Sequence, residues 1–174
     1  GKKTPGRKPS PPEPGPSGSD QVNFTDAESR IMLTSSNGWQ QAYNVQHSVD
    51  MDSYMILGGH LTQATNDKQQ LKPALDEVEG LPDELGTMKR LAADSGYFSQ
   101  DNVEDVTGRQ ITPYIAKGRQ NHHPDWKKRL TKADPPPDDP TPVEAMQWRL
   151  STQQGRDFYA RRKSTVEPVF GIIK

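Results

Sequence analysis

The sequence predicts an α/β fold with a mixed sheet, and its apolar pattern supplies the reasons. Residues 43–49 (YNVQHSV) alternate between apolar and polar side chains, and residues 54–62 (YMILGGHLT) form a second extended run after the turn DMDS. Further along, three apolar residues recur at helical spacing: Leu71, Leu75 and Val78. Two short strands follow, at 90–94 and 111–116. Strands that alternate with helices in this way predict a mixed sheet flanked by helices.

Each element has local signals of its own. The first two strands are expected to pair as an antiparallel hairpin, with Tyr43, Val45, His47 and Val49 on one face of the first strand. The residues TND at 65–67 are good caps for the helix that follows. Ser99 can cap a second helix that runs to Val106, and Gly108 can end it.

The composition predicts both folded and disordered regions. Only 30% of the 174 residues are hydrophobic, the mean hydropathy is -0.97, and 16 residues are proline. We expect a disordered Pro/Gly-rich linker at 1–24, a folded domain at 25–174, and a flexible insertion at about 117–143. Since the first residue is Gly1 rather than methionine, we expect the chain to be cut from a longer reading frame.

Several classes of protein are excluded by what the chain lacks. It has no cysteine, which rules out disulfide frameworks and thiolate zinc sites and fits a reducing cytoplasm. No apolar run is long enough to span a membrane, and the start does not have the pattern of a signal peptide.

The charge is unevenly distributed although the net charge is only -1. Residues 64–106 carry ten acids against four bases, whereas residues 117–132 carry six bases against one acid. Residues 145–174 carry six bases against two acids. A basic C-terminal third can bind phosphates, although a charge run by itself is more often solvated surface.

Two acids are candidate catalytic residues. Asp94 ends a strand of small residues, and ligand sites in open α/β sheets gather at the carboxyl ends of strands. Its alternative role is to start a turn by binding the backbone of Gly96. Glu167 lies near the start of a helix that we expect to begin at about Thr165, with Pro168 in its first turn. A purely structural capping box from Ser164 to Glu167 is the alternative for this acid.

A pair of carboxylates beside a basic cluster suits phosphoryl transfer assisted by a divalent metal. Mg²⁺ prefers carboxylate oxygens and leaves coordination positions open for phosphate. The neighbouring cations would hold the phosphodiester backbone of DNA. The spacing permits such a site without requiring it.

Six segments resemble, in order, the catalytic region of a DDE transposase from a bacterial insertion sequence. The similarity runs from about Thr25 to Lys174. The matching segments are TDAESRIM, YNVQHSVD, TNDKQQLKPAL, AADSGYFSQDNV, YIAKGRQ and YARRKSTVEPVFGIIK. The most specific pieces are LAADSGYFS and TVEPVFGIIK. The resemblance implies an RNase H-like fold in which two aspartates and one glutamate hold two Mg²⁺ ions, for which Mn²⁺ can substitute.

The resemblance also implies roles for individual residues. Asp94 matches the second acid and Glu167 the third, both as catalytic metal ligands. Tyr159, Arg162 and Lys174 match a Tyr, Arg, Glu, Lys pattern around the third acid and would bind DNA. Four residues rather than three separate Arg162 from Glu167, so either Lys163 replaces the arginine or the helix is offset there.

The first acid of the resemblance has no clear match. Two strands precede the first helix where the fold has three, so strand one and its aspartate are expected to be lost upstream. Asp50 is one substitute, but a turn between strands two and three lies at the edge opposite the metal site. Asp67 lies at the correct edge, although its position favours a helix cap. The C-terminal helices of the fold are expected to be missing as well.

The sequence thus predicts a transposase catalytic fragment that cleaves and transfers DNA strands in the intact protein. The alternatives are an inactive or repurposed remnant with non-specific DNA binding, and an unrelated RNase H-like nuclease. The transposase interpretation implies DNA as the partner, a homo-oligomer in the intact protein, no membrane, and a location in the bacterial cytoplasm near the nucleoid.

His122 and His123 are adjacent in a polar loop and are expected to be solvated. Tyr97 and Trp126 could stack on bases, with core packing and loop exposure as their alternatives.

Overall fold

A computed structural model of the chain describes residues 22–34, 38–118 and 135–173. The described elements follow one another as β1 (Arg30–Thr34), β2 (Gly38–Ala42), β3 (Asn44–Val49), β4 (Ile56–Thr62), α1 (Leu71–Glu79), β5 (Arg90–Ala93), α2 (Gln100–Gly108), β6 (Thr112–Ile115), α3 (Pro142–Ser151) and α4 (Gln153–Ile173). Two short 3₁₀ turns lie at Asp83–Leu85 and Ser95–Tyr97.

The strands pair in twos, and both pairing directions occur. β1 pairs with β2 and β3 with β4, both antiparallel, whereas β5 pairs with β6 in parallel. Together with the flanking helices, these pairs confirm the predicted fold class, a mixed α/β, RNase H-like domain whose sheet is incomplete. The sheet is divided among three two-stranded pieces in the described chain.

A compact apolar core holds helices α1, α2 and α3 on the β5–β6 pair. Its buried members come from these three helices, from both strands and from the residue before β6: Leu71, Leu75, Ala93, Val103, Val106, Ile111, Ile115 and Met146. The helical spacing of Leu71 and Leu75 on α1 therefore identified a core face correctly. Ser99 caps α2 as predicted, since its hydroxyl oxygen accepts a hydrogen bond from the Asn102 amide at 3.1 Å.

Three elements were not predicted. Strands β1 and β2 form an extra hairpin ahead of β3, so four strands precede the first helix rather than two. Helix α3 begins at Pro142, inside the C-terminal end of the predicted insertion. Thr141 and Glu144 form a reciprocal capping box at its start, which explains why a helix begins within a proline-rich stretch.

The start predicted for the last helix is wrong. Helix α4 is continuous from Gln153 to Ile173, with Pro168 in its interior. Thr165 is only 1% exposed, and its hydroxyl donates to the Arg161 carbonyl one turn earlier, so it is not an N-cap. Ser164 likewise donates to the Arg161 carbonyl and does not form a capping box with Glu167.

The burial predicted for β3 also differs from the structure. Gln46 is buried at 4% exposure, whereas Val45 on the opposite face is 46% exposed. The amide of Gln46 is buried because polar partners surround it, as described below. No described helix is long and apolar enough to cross a membrane.

Candidate functional site

A cavity of about 760 Å³ lies between β3 and β5. Helix α1 lines one side of it through Leu71, Leu75 and Val78, and α4 lines it through residues that include Arg162, Val166 and Glu167. All four candidate acids from the sequence line this cavity: Asp50, Asp67, Asp94 and Glu167. The fold therefore brings residues from a strand end, a turn and a distant helix to one cavity.

Asp94 follows β5 directly and begins the 3₁₀ turn Ser95–Tyr97. Its Oδ1 accepts a hydrogen bond from the Gly96 amide at 2.8 Å, which is the turn-starting role considered as its alternative. Within the described chain, Oδ2 of Asp94 accepts no hydrogen bond. The turn thus fixes the carboxylate and leaves one oxygen available.

Asp67 lies between β4 and α1 and is held by two side-chain amides. Asn44 Nδ2 donates to its Oδ1 at 2.8 Å, and Gln46 Nε2 donates to the same oxygen at 3.0 Å. The expected helix-cap role is wrong, because α1 begins after Gln70 without a side-chain cap. As in Asp94, Oδ2 of Asp67 accepts no hydrogen bond from the described residues.

The two aspartates approach each other across Gly96. A Cβ built on Gly96 would lie 3.0 Å from Asp67 Oδ2 and 3.0 Å from Asp94 Oδ1. These two oxygens are therefore no more than twice that distance apart. The hydrogen atom of Gly96 leaves the space that both carboxylates need.

Tyr97 completes the support of Asp67. Its hydroxyl donates to Gln46 Oε1, so a chain of hydrogen bonds runs from Tyr97 through Gln46 to Asp67. Burial raises the pKa of Tyr97, and the negative charges of Asp67 and Asp94 raise it further, against the opposing charge of Arg162. The phenol therefore stays protonated and serves as a donor. The core role considered for Tyr97 fits this position better than base stacking.

Two residues of helix α4, Tyr159 and Arg162, lie near Asp67 and Asp94. The Arg162 guanidinium carbon lies 5.6 Å from the centre of the Tyr159 ring. Burial raises the pKa of Tyr159, and the charge of Asp94 adds to that increase while Arg162 opposes it. The Nε atom of Arg162 is buried and has no hydrogen-bond partner among the described residues.

The remaining predicted residues of α4 are more exposed. Glu167 is solvent-exposed although it lines the cavity, and Lys163 is exposed on the helix surface. Lys174 lies outside the described residues, as do His122, His123 and Trp126.

Asp50 lies in the β3–β4 turn and has a structural role there. Its Oδ2 accepts hydrogen bonds from the Ser53 amide at 2.7 Å and from the Ser53 hydroxyl at 2.5 Å. These bonds lower the pKa of the Asp50 carboxyl. Asp67 lies across Gly96 from Asp94, whereas Asp50 is hydrogen-bonded within its own turn.

The comparison with known families decides the identity of this fold. The family model described as "Transposase DDE domain" matches residues 18–174. The chain belongs to this transposase family. No curated protein and no solved structure matches it.

The transposase family generally uses divalent metals, and the cavity offers carboxylate oxygens that could bind one. The unbonded Oδ2 atoms of Asp67 and Asp94 are oxygen ligands of the kind that Mg²⁺ prefers. However, in the part of the chain that the structure describes, no three His, Cys, Asp or Glu side chains gather closely enough to hold a metal ion. The donor chemistry fits a metal, whereas the described side chains do not assemble a complete ligand set.

Sequence reasoning missed the residues that support Asp67 in this transposase domain. The alternating pattern predicts Asn44 and Gln46 on the polar face of β3, and it predicts no partner for them. Their spacing of two places both on one face of the strand. An asparagine and a glutamine repeated there, in a strand with valines on its other face, were the available signal of a buried polar network.

Proposed function

We propose that this transposase domain cleaves DNA and transfers its strands in the intact protein, with Asp94 and Glu167 as metal-binding carboxylates. The observation that carries the proposal is that these two acids, from a strand end and a distant helix, line the same cavity. Of the two substitutes for a further acid, Asp67 is favoured over Asp50, because an Asp67 oxygen and an Asp94 oxygen lie on either side of Gly96 whereas Asp50 is hydrogen-bonded to Ser53.

Each residue then has a role in binding DNA or metal. Bound metal ions would activate the attacking oxygen and stabilise the leaving oxygen of a phosphodiester. Arg162, whose buried Nε has no hydrogen-bond partner among the described residues, would hold a phosphate near Asp94. The ring of Tyr159 lies near the Arg162 guanidinium. Lys163 and Lys174 would contact the DNA backbone outside the cavity. A homo-oligomer in the intact protein belongs to the same proposal.

A second function is supported by a different observation. The described residues hold no group of three metal-binding side chains, which favours a domain that binds DNA without cutting it. We expect this for the chain on its own, because two carboxylates fix the geometry of two ions poorly. This second function corresponds to the inactive or repurposed transposase remnant that was the alternative from the sequence.

Two measurements on the same preparation test the proposal. Titration with Mn²⁺, followed by its paramagnetic resonance signal, is expected to show binding that Asp94→Asn and Glu167→Gln each weaken. Strand cleavage with Mg²⁺ or Mn²⁺ is expected to be weak or absent. Glu84→Gln is the matched control, since Glu84 is an exposed acid in a 3₁₀ turn and does not line the cavity.

The outcomes separate the two functions. Mn²⁺ binding that both site variants leave unchanged would contradict the metal-site proposal and leave the non-cleaving DNA-binding function. Robust cleavage that Asp94→Asn abolishes would show that the chain is active on its own, and Asp67→Asn would then test the further acid.

A further inference from the structure

The buried side chain of Gln46 lies at the centre of a hydrogen-bond network beside Asp67. Only 4% of Gln46 is exposed. Its Nε2 donates to Asn44 Oδ1 at 2.8 Å and to Asp67 Oδ1 at 3.0 Å, which uses both amide hydrogens. Its Oε1 accepts a hydrogen bond from the Tyr97 hydroxyl. Since every polar atom of this amide has a partner, the amide cannot turn over without breaking all three bonds.

Asn44 donates to the same oxygen of Asp67. Its Nδ2 donates to Asp67 Oδ1 at 2.8 Å and to the Ala64 carbonyl at 3.2 Å. Two amide donors on one oxygen restrain the carboxylate, because rotation would break both bonds. Asp67 Oδ2 is thereby held at the place where it would meet a Cβ on Gly96 at 3.0 Å. Strand β3 therefore decides which oxygen of Asp67 faces Gly96.

Tyr97 connects this network with the turn that carries Asp94. It is the last residue of the 3₁₀ turn Ser95–Tyr97, which Asp94 begins as the N-cap. Its hydroxyl reaches across to Gln46 on β3. Burial raises the pKa of Tyr97, so the phenol keeps the proton that this bond requires. The side chain that orients Gln46, and through it Asp67, therefore belongs to the same turn as Asp94.

A second connection joins the two aspartates through the backbone. The Nδ2 of Asn102, on α2, donates to the Tyr97 carbonyl at 2.7 Å and to the Lys68 carbonyl at 2.7 Å. Lys68 directly follows Asp67, and Tyr97 lies in the turn that Asp94 begins. The chain at Asp67 and the chain at Asp94 are therefore joined twice, and Tyr97 takes part in both connections.

The rigidity of its ligands influences which divalent cation a carboxylate site accepts. Mg²⁺ requires near-ideal octahedral coordination by oxygens at about 2.0–2.1 Å, whereas Ca²⁺ accepts irregular shells at about 2.3–2.6 Å. Carboxylates that can shift adapt to the larger ion, and carboxylates that are fixed adapt less. Asp94 is fixed by the Gly96 amide at 2.8 Å, and Asp67 is fixed by the two amides of β3. A rigid pair of this kind favours the smaller ion.

We propose that Tyr97 and Gln46 are positioning residues that make the two aspartates selective for Mg²⁺ over Ca²⁺. They act through Asp67, which they hold in a fixed place beside the turn of Asp94, and they do not touch the ion themselves. Since this role rests on the proposed function, it requires Asp94 to bind a metal ion with Asp67 as the further acid.

Titration of the unmodified chain and of Tyr97→Phe with Mn²⁺ tests this role. The paramagnetic resonance signal of free Mn²⁺ gives its affinity, and displacement of Mn²⁺ gives the affinities of Mg²⁺ and Ca²⁺. Tyr97→Phe removes the hydroxyl donor and leaves Gln46 Oε1 without its partner. We expect the Mg²⁺ affinity to fall on the order of 10-fold, as is usual when an outer-shell partner of a metal ligand is lost, and the Ca²⁺ affinity to fall much less. The preference for Mg²⁺ therefore narrows.

Tyr43→Phe is the matched control, because the Tyr43 hydroxyl also donates to an aspartate, Asp26, at 2.7 Å, and neither residue lines the cavity. This variant loses a hydroxyl–carboxylate bond as well, yet it should leave the affinities of both ions unchanged. Asn102→Leu is a second test variant of similar size. It removes the donor to the Tyr97 and Lys68 carbonyls, so it should narrow the preference for Mg²⁺ too.

The outcomes separate this role from the proposed function. Equal losses of Mg²⁺ and Ca²⁺ affinity in Tyr97→Phe would overturn the selectivity role, and so would unchanged affinities. If Asp94→Asn weakens Mn²⁺ binding while Tyr97→Phe leaves the selectivity intact, the positioning role fails and the proposed function stands. If Mn²⁺ does not bind, or if neither Asp94→Asn nor Glu167→Gln weakens its binding, the proposed function fails and the positioning role fails with it.

Discussion

Asp67 and Asp94 each use one carboxylate oxygen to hold the local fold and keep the other free of hydrogen bonds in the described chain. The Asn44 and Gln46 amides bind Oδ1 of Asp67, and the Gly96 amide binds Oδ1 of Asp94. A carboxylate fixed in this way loses less rotational freedom when its second oxygen binds a cation or a donor. The individual residues are therefore arranged as a preorganised pair.

Gly96 controls the approach of this pair, which leads to the first prediction. A methyl group at Gly96 would meet an oxygen of each aspartate at 3.0 Å, so Gly96→Ala must displace one of them. We expect a loss of about 1–3 kcal/mol in the free energy of unfolding. Gly108→Ala is the control, because nothing lies within 4 Å of a Cβ at that helix end. Urea unfolding of both variants gives the comparison, and equal stabilities would contradict the crowding at Gly96.

Asp50 gives a prediction on pH. The Ser53 hydroxyl and amide lower the pKa of Asp50 in the folded chain, so its ionised form stabilises the β3–β4 turn. This contribution is present above the unfolded aspartate pKa of about 3.9 and is lost as the pH falls through the lower folded pKa. Asp50→Asn should therefore be less stable than the unmodified chain at pH 7, with a difference that shrinks below about pH 4.

The control for this pH dependence is Asp83→Asn, because no hydrogen bond to the Asp83 side chain is seen in the described chain. Thermal unfolding from pH 7 to pH 3 measures both variants. A difference between Asp50→Asn and the unmodified chain that persists unchanged at pH 3 would mean that the ionised carboxylate is not the stabilising form.

At the scale of elements, helix α4 tolerates a proline that sequence reasoning treated as a break. Pro168 is exposed, whereas Thr165 and Val169 on the same helix are buried. Contacts of the buried face with the rest of the domain hold the helix together across the proline. Packing of one face supplies most of the stability of a protein helix, so it can override an unfavourable residue on the other face.

Removal of that proline should stabilise the helix. Pro168→Ala restores an amide donor to the Ser164 carbonyl and relieves the ring's contact with the preceding turn, for a gain of at most about 3 kcal/mol. Gly171→Ala in the same helix is the control, since it improves helix propensity by about 1 kcal/mol without adding a donor. Urea unfolding compares the two. A loss of stability in Pro168→Ala would show that the proline shapes α4 in a way its neighbours need.

At the scale of the whole molecule, charge divides the domain into an acidic part and a basic part. Helix α1 carries acids that pair with Arg109, the residue that follows α2; its guanidinium lies 2.7 Å from a carboxylate oxygen of Asp76 and 2.7 Å from one of Glu79. Helix α4 carries cations, of which Arg161 is bound to Asp52 at 2.6 Å and Lys163 is exposed. DNA is therefore expected to approach the α4 side and to avoid the α1 side.

This separation predicts how DNA binding responds to salt. Lys163→Ala should weaken binding about equally for all sequences and reduce the slope of log K against log salt by about 1. Lys72→Ala on α1 is the control, because it removes the same charge from the acidic side. Titrations of a DNA duplex at several salt concentrations measure both. Equal effects of the two variants would show that DNA does not distinguish the two sides.

The sequence predicted the local elements better than their assembly. Helix α1, the β3–β4 hairpin and the position of Asp94 at the end of a strand followed from periodicity, and α2 followed from its capping residue Ser99. Strands β1 and β2 were not found, since Leu33 and Trp39 remain exposed and the hairpin shows no clear alternation between buried and exposed residues.

The site shows where reasoning from the sequence stops. By itself, the sequence determined the family, the strand-end aspartate and the basic helix, because these depend on residue types at fixed spacing. Only the tertiary structure decided that Gln46 is buried, that Asp67 is bound by Asn44 rather than capping α1, and that Thr165 lies inside a helix. These facts depend on partners distant in the chain, and the free energy of a buried polar group is set by the partner it meets.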